Sequence, residues 1–79
     1  MKHAREDYNR IQDPENKIPE DEPVFLLRGQ DELAPYLLRQ WAVQLLHKGG
    51  SGIMAEMVIK HANAMDKWQA EHKKKLPDL

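Results

Sequence analysis

Lys48-Gly49-Gly50-Ser51 separates two stretches that each repeat with the period of a helix, and this break narrows the fold more than any other feature of the chain. Ahead of it, Ala34, Leu37, Leu38, Trp41, Ala42 and Leu45 recur every three or four residues, one apolar stripe on a helix expected from about 32 to 48. Tyr36, Val43 and Leu46 lie off that stripe, so the helix asks for partners on more than one side. Behind the break, Met54, Val58, His61, Met65, Trp68 and His72 alternate by four and three, close to a heptad seam on a helix from about 52 to 74. Lys48 with Gly49 is a helix stop, since glycine takes the left-handed cap without penalty. Ser51 is a cap for the second helix. A short glycine connection makes neighbouring helices antiparallel. The predicted fold class is therefore mainly α, built on an antiparallel helical hairpin.

The first half is less regular. Ala4, Tyr8 and Ile11 share one side of a short helix expected over 2 to 12. Asp13-Pro14 ends it, because proline disfavours the α conformation in the residue before it. Residues 13 to 23 hold Pro14, Pro19 and Pro23 with five acidic side chains against Lys17, which predicts an extended acidic connector. Val24-Phe25-Leu26-Leu27, with Pro23 before it and Gly29 after, predicts an extended apolar segment over about 24 to 28. A single strand leaves its backbone unsatisfied, so this one should pair with a symmetry mate or lie across the helices. Asp31 is the expected N-cap of the following helix. Pro35 is tolerable only in the first turn, which moves the regular helix towards Ala34.

Size sets the energetic problem. A single domain of 79 residues has a thin core, and small scaffolds are usually reinforced by disulfides, metal or self-association. The chain has no cysteine, which removes disulfides and thiolate metal sites and fits a reducing cytoplasm. Homo-oligomerisation is the remaining expectation. No apolar run reaches the length of a membrane span, and the charged start Met1-Lys2-His3-Ala4-Arg5 lacks the apolar centre of a secretory signal. Net charge is -1, so no global field recruits nucleic acid. Lys73-Lys74-Lys75 in the basic tail over 73 to 79 is a local exception.

Catalytic signatures are missing from the sequence: there is no cysteine nucleophile, no phosphate-binding glycine loop, and Ser51 stands where a cap is needed. His61 and His72 are about 16 Å apart along a helix at 1.5 Å per residue, too far to share a metal. No enzyme activity, metal or cofactor is predicted. The segment with most chemical content is Arg28-Gly29-Gln30-Asp31. Arginine offers a planar fork for phosphate or carboxylate, and glycine permits close backbone approach. Glutamine can pair polar edges, and a helix start supplies free N–H groups. These residues form a candidate site for a nucleotide-like anion, with Tyr8 to stack on a base and Arg10 and Arg39 as further cations. The structural alternative is as economical: Arg28 pairs with a connector carboxylate, Gly29 turns the chain and Asp31 caps. Trp41 and Trp68 are expected in the core.

The block Ile18-Pro19-Glu20-Asp21-Glu22-Pro23-Val24-Phe25-Leu26-Leu27-Arg28-Gly29-Gln30-Asp31, continued by Ala34 and Trp41-Ala42 and preceded by Tyr8-Asn9-Arg10-Ile11, resembles a pattern in small bacteriophage and prophage proteins. It covers roughly residues 8 to 42, and no functional residue is carried over from it. The resemblance implies a protein that acts by stoichiometric binding in the host cytoplasm. One such class forms oligomers that sequester nucleotide signals of bacterial defence; another blocks a host or virion protein.

Overall fold

The computed structural model describes residues 1–5 and 13–76. Their order is β1 (Lys2–His3), β2 (Pro23–Val24), α1 (Ala34–His47) and α2 (Gly52–Glu71). The two helices pack on each other and carry the fold. Arg39 of α1 reaches Asn63 and Asp66 of α2, while Gln69 near the end of α2 reaches Asp31, just ahead of α1.

Local chemistry explains the helix ends. Gly49 has φ of 78° and begins a Schellman turn, in which Gly49 N–H donates to Leu46 O at 3.0 Å and Gly50 N–H donates to Leu45 O at 2.8 Å. Ser51 is extended, and its hydroxyl accepts from Met54 N–H at 3.1 Å, the expected cap. At α1 the cap is different from the one expected. Leu33 occupies the cap position without a side-chain bond, Pro35 falls in the first turn, and Asp31 acts two residues upstream. Its carboxylate accepts from Leu33 N–H at 2.8 Å, a local turn that leads the chain into the helix. α2 ends at Glu71, three residues short of the expected Lys74. His72 is extended there, with Nδ1 donating to Trp68 O at 2.9 Å.

The core differs most from the sequence reading. Among the described residues it consists of Ala34, Ala42, Ala55, Ala62 and Met65, and no large side chain there is fully buried. On α2 the buried face runs through Ala55, Val58, Ala62, Met65 and Gln69, one residue round from the Met54–His61–Trp68 side of the expected stripe. Trp41 and Trp68 are not core residues: they remain 49% and 40% exposed. The physical reason is backbone proximity. Alanine on both helices lets them approach closely, and an indole on that line would hold them apart.

The N-terminal half also corrects three expectations. Lys2–His3 is a strand, so no helix begins at residue 2; the remainder of the expected 2–12 helix, with Tyr8 and Ile11, lies outside the described residues. β1 pairs in parallel with β2, Lys2 opposite Pro23 and His3 opposite Val24, so the apolar segment finds its partner within the chain and only Pro23–Val24 of it is strand. Two residues of β1 satisfy the backbone of a strand edge, which a short helix, whose own hydrogen bonds are internal, could not. The connector is turned and not simply extended: the Asp13 carboxylate accepts from Lys17 and Ile18 N–H, both at 3.0 Å, around Asn16 at φ of 52°.

The radius of gyration is 14.0 Å, against about 11.6 Å for a compact domain of this length. The shortest principal extent is 19 Å. Among the described residues α1 and α2 are the only helices, so each has one helical neighbour and its other sides are not covered by helix.

The turn between the helices gives a paired prediction. A Cβ on Gly50 would lie 2.7 Å from Leu45 Cγ and 2.9 Å from its carbonyl oxygen, while one on Gly52 meets nothing within 4 Å. Gly50→Ala should therefore destabilise by about 1–3 kcal/mol through overpacking. Gly52→Ala should stabilise by about 0.4–1 kcal/mol by restricting the unfolded chain. Urea midpoints of the two variants check this, and equal midpoints would contradict the cap geometry.

Candidate functional site

Asp31 is the one buried charged residue among those described, 8% exposed. Each of its polar groups has a structural task. Its N–H donates to Arg28 O at 3.0 Å, closing the Arg28–Asp31 turn, and its carboxylate takes Leu33 N–H. Its carbonyl accepts from Ala34 N–H at 3.0 Å and from Gln69 Nε2 at 2.8 Å. The same Gln69 amide donates to Gly29 O at 2.9 Å. One side-chain amide on α2 thus holds two carbonyls of the turn, each a polar group that would be costly to leave without a donor at the half-buried contact.

The basic tail arrives at the same place. Lys75 N–H donates to Gln30 O at 3.0 Å and Glu32 N–H donates to Lys75 O at 3.0 Å, an isolated parallel bridge centred on Asp31 and Lys75. Lys74 Nζ lies 3.5 Å from a Glu32 carboxylate oxygen, a part-exposed pair worth little by itself. Two features that are 42 positions apart in sequence, the Arg28–Asp31 turn and Lys73–Lys75, therefore become neighbours. The tail's backbone groups, left free when α2 stops at Glu71, are satisfied by the backbone of the turn.

The candidate residues separate by environment. Arg28 is exposed and has no ion-pair partner among the described residues; Gln30 is half-buried beside it. Asp31 is buried with its carboxylate turned to the helix start, where it holds Leu33 N–H. Arg39 is engaged elsewhere, its guanidinium donating to Asn63 Oδ1 at 2.7 Å and to the Asp66 carboxylate across the hairpin. Tyr8 and Arg10 lie outside the described residues. The sequence reading missed Gln69, whose apolar-face position looked like an ordinary helix residue. It also missed the docking of the tail, which has no pattern that points to residue 30.

A shallow hollow of about 340 Å³ lies beside the strand pair, lined by Lys2, His3, Ala4, Pro23, Val24 and Phe25. Phe25 is 69% exposed at its edge, and His3 Nδ1 has no hydrogen-bond partner there. Among the described residues no three His, Asp or Glu side chains come together in a way that could hold a metal ion. No described helix is long and apolar enough to cross a membrane.

No protein-family model, curated protein or solved structure matches the chain. The residues and their surroundings have to carry the functional argument.

Gln69→Leu keeps the volume of the side chain and removes the side-chain amide that donates to Gly29 O and Asp31 O. It should cost about 1–3 kcal/mol, the penalty for buried acceptors that lose their donor. Hydrogen exchange should quicken at the Asp31 and Lys75 amides and stay slow in the centre of α2. Unchanged exchange at those two amides would show that Gln69 does not hold the turn.

Proposed function

We propose that this chain is a non-enzymatic, oligomeric binding protein that sequesters a small anionic ligand, a nucleotide or cyclic nucleotide signal, in the cytoplasm of a phage-infected host. The observation that carries the reading is the meeting of Arg28, Gln30 and the Lys73–Lys75 tail around one hydrogen-bonded turn. An exposed guanidinium on a turn against which a lysine-rich tail docks suits phosphate, with the arginine fork giving direction and the lysines adding field. Gln30 is placed to read a polar edge. The turn itself, held by Gln69 and Asp31, serves as a rigid mount, so Asp31 contributes by positioning Arg28 and Gln30. Tyr8 and Arg10 would complete the site from the first segment, and Arg39 would be a secondary cation on the antiparallel hairpin.

A second reading has its own observation. Phe25, Trp41, Met57 and other apolar side chains stay exposed, which suits a module that binds and inhibits a host or virion protein.

The two are separated by titrating the protein with mononucleotides and cyclic nucleotides and by varying one residue. Arg28→Ala should abolish binding while leaving the thermal midpoint within a degree or so, because an exposed side chain away from packing contributes little to stability. Replacing Lys73, Lys74 and Lys75 by Gln should weaken binding and flatten its salt dependence without abolishing it. Saturable binding that survives Arg28→Ala would overturn the site. Absence of binding across the panel, with a host protein retained on the purified chain, would favour the inhibitor reading.

A further inference from the structure

We propose that the side of the hairpin bearing Trp41 and Trp68 is the seat of a second copy of this chain. The proposal names the interface for the oligomeric part of the reading above and does not depend on the ligand.

Helical geometry assigns the side. At 100° per residue, Leu37 and Trp41 lie on one flank of the buried Ala34–Leu38–Ala42 line, and Arg39 lies on the opposite flank. On α2, Met54, His61 and Trp68 lie on one flank of the Ala55–Ala62–Gln69 line, and Asn63 and Asp66 on the other. Arg39 bonds to Asn63 and Asp66, so those two polar flanks are on the same side of the hairpin. The two apolar flanks therefore share the other side. The molecule has two contrasting faces, one tied by an ion pair and one occupied by both tryptophans.

The tryptophan face is exposed, and α1 and α2 place no Asp, Glu, Lys or Arg within it; Lys48, just past the end of α1 and seven residues after Trp41, stands at its edge. Leu37 is 44% exposed, Trp41 49%, Met54 44% and Trp68 40%. His72 extends the surface by stacking on Trp68, with ring centroids 4.1 Å apart and planes at 8°. Apolar and aromatic character with charge excluded from the centre is the composition of an interface core.

Area and thickness decide the occupant. An aromatic side chain offers about 150–250 Å², so these exposures leave on the order of 200 Å² on the indoles. The remaining apolar side chains raise the face to on the order of 500 Å² per chain. Two copies placed face to face would bury on the order of 1,000 Å², the size at which specific interfaces begin. The hairpin's core is thin, made of alanines and one methionine, and a second copy laid on its apolar flank supplies a further packed layer. A twofold arrangement needs no complementary partner, because an uncharged apolar face is complementary to itself.

The test is native mass spectrometry with tryptophan fluorescence. The wild-type chain should be a dimer or an even-numbered oligomer, and Trp41→Glu with Trp68→Lys should lower its mass by about twofold or more as that interface is lost. Asn63→Lys on the opposite face should leave the mass unchanged, and far-ultraviolet circular dichroism reports whether the helices persist. Should the double variant unfold, the wild type alone decides: its indoles should resist acrylamide quenching when associated and become clearly more quenchable when diluted to monomer. A wild-type monomer at micromolar concentration overturns the proposal. So does an oligomer whose tryptophans quench as readily as its diluted form, or whose mass survives the double variant. Failure of Arg28→Ala to affect ligand binding would leave this result unaffected, since Arg28 is not on the face.

Discussion

Ala34, Ala42 and Ala62 have no exposed surface at all, and the close approach of α1 and α2 along this alanine line is the constraint on which the rest of the structure depends. Small side chains let dispersion contacts form between the helix backbones and their first carbons. They also bury little area per residue, so the hydrophobic stabilisation gained inside one chain is modest. Both tryptophans, Leu37 and Met54, which a thicker core would have taken, are displaced to a flank. The thin core and the exposed tryptophan face are two consequences of the same packing choice.

The alanine line also fixes where the ends of the helices meet. With α1 and α2 in register, Gln69 is brought under the Gly29 and Asp31 carbonyls, and the chain leaving α2 passes alongside Gln30 and Glu32. The junction is thus a set of hydrogen bonds organised by helix packing a few residues away. It converts a loop into a mount, and it docks the backbone of the lysine tail against the turn that follows Arg28. An anion site built on this junction would be rigid in its backbone and adaptable in its long side chains, which is the division of labour expected of a binding site on a small scaffold.

The apolar face and the basic junction are different surfaces and answer different physical needs. The face offers nondirectional burial, which would raise stability if a second surface covered it. The junction offers charge and directed donors, which would give specificity to an anion site proposed there. A chain with no cysteine and few large buried residues gains from the first before it can use the second, because ordering a ligand on a marginal fold would draw on the same free energy that keeps it folded.

The sequence by itself determined the elements whose causes are local. Gly49 and Ser51 specified the stop and the cap, Pro35 moved the start of α1 to Ala34, and two apolar periodicities specified two helices; each depends on dihedral preference or on groups within four residues. Only the tertiary structure decided which side of each helix is inside. Ala55 and Met54 are adjacent in the pattern, and the choice between them turns on how closely the partner helix can approach, a property of two elements together. It also decided that Val24 pairs with His3 and that Lys75 pairs with the Asp31 turn. Backbone hydrogen bonds carry no side-chain signature, so strand partners and tail docking leave no trace in residue type. Asp31 falls between the two cases: its role near a helix start was legible from its chemistry, but its buried turn, with Gln69 beneath it, was set by the packing of helices that the sequence could only count.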